Sequence, residues 1–342
     1  MNFHAPHELQ PFWTMAAAPI QTRALEQALT LGLFERLRQP TNAAQVAAQL
    51  QLDPAATTVW LELLWSMALL SRQCPLDAPG TPRYSAAPLA LRHFVPGSAQ
   101  NCAQAWLYRA RFLQRFADQW ETLLHRGFDP QGAAAPQGSW AQAARVQIGQ
   151  EQRVVTVPAV LRLLDTLAPL PATGRLLDLG GGPGHVGIAL AQRLPRWQGV
   201  LCDQPETAEV AQENLLAAGL SGRLQALGCD LETDSIGSGY DLIWCSAVLH
   251  FMRDPQALVH KACAALDPGG LLLLAHAEQA DDPALAAGVL PFYGPLALRG
   301  NHLPRPGGIA RMMAEAGLAD IQSLGRIDFP MAPVWVHAGR RP

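Results

Sequence analysis

The chain has 342 residues, 49% of them hydrophobic and 15% charged. That is enough apolar mass for two domains with buried cores, and it excludes a disordered chain. The formal net charge of −3 gives no global attraction to nucleic acid or to an anionic membrane. Positive charge is almost all arginine; Lys261 is the one lysine and reads as genomic composition rather than mechanism.

Six cysteines, Cys74, Cys102, Cys202, Cys229, Cys245 and Cys263, form no CxxC pair and no zinc spacing. They are predicted to be buried free thiols in a reducing cytoplasm. The opening MNFHAPHELQ lacks the basic-then-apolar pattern of a signal peptide. The longest aliphatic run, near GLLLLAHA, is too short to span a bilayer. A cytoplasmic protein with no membrane contact is the expectation.

Up to about residue 165 the pattern is helical. PIQTRALEQALTLGLFERL sets Leu25, Ala28, Leu29, Leu31 and Leu33 on or near one helix face. TNAAQVAAQLQL opens on a Thr/Asn cap, and DPAATTVWLELLWSMALL on an Asp cap with proline at the first helical position. SRQCPLDAPGTPRYS is rich in turn formers and predicts a hairpin. Three helices and a hairpin make a winged helix-turn-helix. Its third helix would be the DNA reader, yet residues 53–70 hold no Arg or Lys and are expected to expose Trp60, Leu61, Leu64 and Trp65. A groove reader needs basic and amide side chains, so a dimerisation surface is predicted and nucleic acid is not. Further helices follow through AWLYRARFLQRFADQW, then the loop GFDPQGAAAPQGS, then a long helix from about Trp140 to Leu167.

From about Gly174 strands and helices alternate: RLLDLG, HVGIALAQRLP, GVLCD, PETAEVAQENLLAAG, RLQALGCD, YDLIWCSAVLH, PQALVHKACAALDPGG, LLLLAHAE, GGIARMMAEAG, DIQSLGRI and APVWVHAGR. Fully apolar strands between helices predict a doubly wound α/β sheet covered on both faces, with an antiparallel pair at its end. The expected organisation is an all-α winged-helix dimerisation domain at 1–165 and a Rossmann-like sheet domain at 166–342.

In LLDLGGGPGHVG, Gly180, Gly182 and Gly184 stand where the first strand gives way to its helix, the crevice of such a sheet. Missing side chains let a ligand lie against the backbone there. Asp203 ends the second strand, where a carboxylate takes both hydroxyls of a ribose. Asp230 ends the third, where it can receive an adenine amino group. The dinucleotide fingerprint fails because His185 stands where Gly or Ala is wanted, and no Lys-Ser/Thr follows for a P-loop. Asp178, ahead of the glycines, would repel a pyrophosphate but suits an ammonium group. The ligand that fits is S-adenosylmethionine (SAM).

With LLDLGGGPG, LCDQP, GCDL and VLH…PGG in this order, the chain resembles the class I SAM-dependent O-methyltransferases of the plant caffeate and bacterial secondary-metabolite type. The resemblance implies a homodimer through the N-terminal domain and a small-molecule acceptor. It implies cofactor contacts from Asp178, Gly180, Gly182, Gly184, Asp203, Gln204, Asp230, Leu231 and Ser246, the last in place of the plant relatives' lysine. It makes His250, in VLHFM, the general base, with Phe251-Met252 where the family has Asp-Trp. The family's orienting glutamate aligns with His276. Glu278 is expected to substitute if the strand continues; otherwise His250 works without a carboxylate, or the acceptor is acidic enough to need little help. No metal is implied, although His250, His276 and Glu278 are ligand types. The acceptor slot is expected from Trp106, Phe112, Phe116, Trp140, Phe251, Met252, Phe292 and Tyr293. Other acceptor atoms, carbon or nitrogen, non-methylating chemistry and a ligand-sensing regulator are the alternatives.

Overall fold

The computed structural model describes residues 7–74, 81–128 and 139–342. The chain divides into two compact units, residues 1–110 and 111–342.

In the first unit, α1 (Gln10–Thr30) starts nine residues before the periodic stretch and carries Pro19 inside it. Gly32, at φ 64°, turns the chain into α2 (Leu33–Arg36). A short strand, β1 (Thr41–Asn42), leads to α3 (Ala43–Leu50), where Asn42 and Gln45 form a reciprocal capping box. The Asp53 carboxylate accepts from the Ala56 N–H at 2.7 Å and opens α4 (Pro54–Ser66). The predicted hairpin is β2 (Leu70–Gln73) against β3 (Arg83–Ala86), with β1 on the other edge of β3. Its predicted turn, 75–80, lies outside the described residues. α5 (Pro88–His93) follows, a helix the sequence reading did not include.

One expectation for α4 is corrected. Leu61 and Leu64 are fully buried, and the Trp60 indole N–H donates to the Ala24 carbonyl at 3.0 Å. Three residues apart on a helix, Leu61 and Leu64 share a face, and that face turns into a core with Phe34, Leu37 and Tyr84. Val59 and Trp65 are the large exposed apolar residues of α4, and Phe12, Trp13, Met15 and Ile20 are among those of α1.

α6 (Ala103–Asp118) carries the chain into the second unit and is followed by α7 (Trp120–Arg126). The predicted loop at 129–138 lies outside the described residues. The predicted long helix is a continuous run with two π-helical stretches: α8 (Trp140–Ala143), a π segment (Ala144–Ile148), α9 (Gly149–Glu151), a second π segment (Gln152–Thr156) and α10 (Val157–Thr166). Residue 165 is inside α10, whose Val160 and Leu163 pack in the core of the second unit.

Seven strands form one sheet in the order β6-β5-β4-β7-β8-β10-β9. They are β4 (Gly174–Leu179), β5 (Trp197–Asp203), β6 (Leu224–Gly228), β7 (Tyr240–Ser246), β8 (Leu266–His276), β9 (Ala319–Ile327) and β10 (Val334–Arg340). The first five are parallel; β10 lies antiparallel between β8 and β9, as predicted for the final pair. Alternation explains the fully apolar strands. Leu176, Leu242, Trp244, Leu271 and Leu273 face one core, while Leu177, Leu179, Ile243, Cys245, Leu272 and Leu274 face the other. Helices α11 (His185–Arg193), α12 (Pro205–Ala217), α13 (Pro255–Ala265) and α16 (Gly308–Glu315) contribute buried residues to these two cores. Two shorter helices, α14 (Pro283–Ala287) and α15 (Leu290–Leu298), follow β8. No helix among the described residues is long and apolar enough to cross a membrane.

Candidate active site

The glycine loop joins β4 to α11. Gly180, Gly182 and Gly184 all take positive φ (69°, 58° and 78°), where a side chain is strained. Space is also closed by the protein itself. A Cβ on Gly180 would collide with Val248, and one on Gly184 would lie 2.7 Å from Leu201 Cδ1. These glycines therefore serve the turn and the helix-on-strand packing as well as any ligand. Gly187, one turn into α11, would push a Cβ into Leu201 Cδ2 and to 3.0 Å from Asp178 Cβ. Gly187→Ala should cost about 1–3 kcal/mol of stability by overpacking, read from the midpoint of urea unfolding; an unchanged midpoint would contradict this packing.

Parallel pairing brings the ends of β4, β5 and β6 side by side, and with them the acids. Asp178 is buried and accepts from the Gly187 N–H at 2.8 Å. Burial pushes its carboxyl up to about 7; the Gly187 bond opposes this and Asp203 adds to it. Asp203 accepts from Gly182 N–H and Gln204 N–H, both at 2.8 Å, and burial raises its pKa too. Gln204 is the N-cap residue of α12. Asp230 is exposed beyond β6, with one oxygen taken by the Glu232 N–H at 2.9 Å; Leu231 beside it is buried. Ser246 ends β7 and its hydroxyl accepts from the Trp244 indole at 3.2 Å. Two desolvated carboxylates at one loop suit a cationic ligand with hydroxyls to be held, and disfavour a pyrophosphate. That donor set fits SAM.

The cysteine expectation is corrected here. Cys202 and Cys229 are joined as a disulfide across a Cα–Cα distance of 6.7 Å. Cys202 pairs in register with Leu227, so Cys229 follows just beyond the end of the neighbouring strand. A juxtaposition across 27 residues leaves no local sequence signal.

Three supports of the crevice were not anticipated. The Gln152 amide donates to the Gly181 carbonyl at 2.9 Å and accepts from the His185 N–H at 3.1 Å, so the second π segment holds the loop from behind. His185 takes a bond from Arg153 at 2.7 Å, and burial holds its pKa down to about 4. Lys261 donates to the carbonyls of Leu231, Glu232 and Asp234 at 2.7, 3.2 and 2.9 Å, gathering the turn beyond β6. The chain's single lysine was the available signal.

On the other side of the sheet's carboxyl edge, His250 stands in a 3-10 turn (Leu249–Phe251) and is buried. Its Nδ1 is 3.3 Å from His276 Nε2. The Phe251 ring lies 4.0 Å away, and the Tyr293 ring meets it edge-on at 6.0 Å. Trp140 meets Phe251 edge-on at 5.1 Å. The Asn301 amide donates to the His250 carbonyl at 2.7 Å, a contact absent from the sequence reading. Phe292 packs against the core beside Tyr293.

The other expected pocket residues make contacts of their own. Met252 packs against the opposite core and lines a cavity of about 180 Å³ with Leu231, Asp254 and Lys261. Phe112 and Phe116 form a tilted pair at 5.7 Å, with the Arg299 guanidinium over both rings. Trp106 packs against the core of the first unit.

Glu278 does not orient His250 through its carboxylate oxygens. They accept from Gly307 N–H at 3.1 Å and Ile309 N–H at 2.9 Å, capping α16, and one lies 3.6 Å from His337 Nε2. The strand ends at His276, so alternation no longer sets Glu278 on the same face. No group of three His, Cys, Asp or Glu residues suited to a metal occurs among the described residues.

The model of a methyltransferase domain matches residues 150–323, and that of an O-methyltransferase dimerisation domain matches 13–95. The chain belongs to the methyltransferase family. It belongs there to the branch that carries an N-terminal dimerisation domain. Its relatives include the L-tyrosine C(3)-methyltransferase of Streptomyces lavendulae, 30% identical over 47% of this chain and 45% of that one. The methyltransferase thus spans less than half the length of that relative. A second is the 3-hydroxy-5-methyl-1-naphthoate 3-O-methyltransferase of Streptomyces sahachiroi, 25% identical over 77% of this chain and 75% of that one. Human N-acetylserotonin methyltransferase, solved in complex with SAM, superimposes with a TM-score of 0.78 at 19% identity, covering 100% of this chain and 99% of the other. That likeness is one of fold.

Proposed function

We propose that the methyltransferase transfers the methyl group of SAM to a hydroxyl of an aromatic or largely apolar small molecule of secondary metabolism. The observation that carries this reading is His250, a buried imidazole walled by Phe251 and Tyr293, on the same sheet edge as the glycine loop and its acids. Asp203 would hold the ribose hydroxyls, Asp230 the adenine amino group, and Asp178 the ammonium end. Gly180, Gly182 and Gly184 would bring backbone against the ligand, with Gln204, Leu231 and Ser246 at its edges. When bound, SAM supplies a methyl group on a positively charged sulfur. His250 takes the proton of the acceptor hydroxyl, which makes the oxygen nucleophilic. Tyr293 is buried beside His250, whereas Phe251 and Trp140 are exposed and offer apolar faces to a flat ring. The rest of the rate comes from holding the oxygen in line.

The reading is tested by incubating the protein with methyl-labelled SAM and a panel of hydroxylated aromatics and polyenes. Label bound to oxygen supports it; label bound to carbon or nitrogen would move the protein to the C- or N-methyl alternatives.

Proton linkage gives a second check. An ammonium group against Asp178 favours the carboxylate, so it lowers a pKa that stands at about 7 in the unliganded protein. Below pH 7 a proton must leave as the ligand binds. Affinity for S-adenosylhomocysteine (SAH) should therefore fall as pH drops from about 8 to 6, approaching tenfold per unit at the acid end. An affinity flat across that range would detach Asp178 from the ligand.

The exposed Phe12, Trp13, Met15 and Ile20 of α1, within or beside the dimerisation match, support a homodimer. Sedimentation at micromolar concentration should return a dimer; a monomer would remove that part of the proposal.

A further inference from the structure

His276 stands where the resembling family places its orienting glutamate, and the geometry assigns it a defined task. It is fully buried at the end of β8. Its Nδ1 lies 2.7 Å from the Ala277 carbonyl. A carbonyl oxygen only accepts, so Nδ1 carries the proton. Burial, reinforced by nearby His302, keeps the ring neutral down to about pH 4, and the Ala277 bond only partly opposes this. The lone pair of His276 is therefore on Nε2. That nitrogen faces His250 Nδ1 at 3.3 Å, so His250 must donate, and its own proton sits on Nδ1.

We propose that His276 is the positioning residue of this site: a neutral imidazole that fixes the tautomer of His250 and so puts the basic lone pair on His250 Nε2. One backbone carbonyl, Ala277, thereby sets the protonation of two rings in series. The two rings meet edge-on at a centroid distance of 5.4 Å, and Phe251 on one side and Asn301 at the backbone hold His250 in register. A carboxylate at position 276 would impose the same tautomer and add a negative charge; the imidazole orients without one. Titratable groups that act on this pair include Tyr293 from α15, against His250, and His302 from the loop after it, against His276; the Glu278 carboxylate is turned to the start of α16.

The inference rests on the methyl-transfer reading for the meaning of the His250 lone pair, but its test needs no acceptor. Long-range proton–nitrogen correlation spectra of the full-length protein, labelled with 15N-histidine, report the tautomer of each ring. Signals are assigned with His250→Ala and His276→Gln. His250 and His276 should both show the Nδ1–H form at pH 7.5, and His276 should not titrate between pH 8 and 5. In His276→Ala, with SAH affinity kept within twofold, His250 should shift toward the Nε2–H form. In His276→Gln, whose amide oxygen can accept the same bond, it should return to Nδ1–H. An Nε2–H form at either ring of the wild type, or a His250 tautomer indifferent to His276→Ala, would overturn the proposal. Failure of the wild type to bind SAH would instead overturn the methyl-transfer reading, and this inference with it.

Discussion

Replacing His250 by alanine lowers turnover about 10²–10⁴-fold and leaves SAH affinity within twofold. The magnitude is that of a positioned general base removed from a proton transfer. The split follows from the geometry. His250 is packed with His276, Phe251 and Tyr293, whereas the cofactor acids lie at the ends of β4, β5 and β6. A phenolic hydroxyl is mostly protonated at neutral pH, so the loss should shrink as pH rises toward the phenol's own pKa and the substrate ionises without help. Single-turnover rates with labelled SAM from pH 6 to 9, wild type beside His250→Ala, check both points. An unchanged rate would remove the base from the mechanism and leave proximity alone.

Asp203→Ala raises the dissociation constant of SAH by about two orders of magnitude. Each hydrogen bond between a carboxylate and a ribose hydroxyl is worth about 1.5–3 kcal/mol when the acceptor is charged, and about 1.4 kcal/mol is tenfold in affinity. Asp203 also accepts from Gly182 N–H and Gln204 N–H. Alanine therefore strips one support from the glycine loop and one from the start of α12, and part of the loss comes from loop disorder. Asp203→Asn separates these contributions: its amide oxygen keeps one backbone acceptor while the charge is gone. The asparagine variant should unfold within about 1 kcal/mol of wild type in urea and still bind SAH at least tenfold more weakly. Calorimetric titration measures the affinities. Affinity within twofold of wild type in both variants would mean that no ribose sits at Asp203.

The sheet was legible because its strands are buried on both faces. Short, largely apolar runs such as RLLDL and LLLLAH leave little choice but a parallel sheet between helices. The acids at strand ends were legible for the same reason: parallel strands end at one edge, so a polar residue closing each apolar run must meet the others there. Side-chain destinations across the chain were not legible. Absence of Arg and Lys from α4 argues against DNA but does not tell which of its faces is covered, and Leu61 and Leu64 lie on the face that joins the core with Ala24, Leu25 and Ala28 of α1. Glu278 looked like a partner of His250 because alternation was carried two residues past the end of β8, where the carboxylate instead caps α16. Gln152 acts on a loop 29 residues away through a π-helical stretch that no propensity reports. Lys261 was visible as the lone lysine, but composition says nothing of the three carbonyls it collects. The glycines were read as making room for a ligand; positive φ at three of them and the packing of Val248 and Leu201 account for much of the pattern.

The central claim is that the crevice at the ends of β4, β5 and β6 binds SAM. Calorimetric titration of the intact wild-type protein with SAH at pH 8, where Asp178 is ionised, tests it most directly. The account predicts saturable binding at one site per protomer. A folded dimer that gives no binding heat at any temperature tried, and no rise in unfolding temperature with excess SAH, would contradict it.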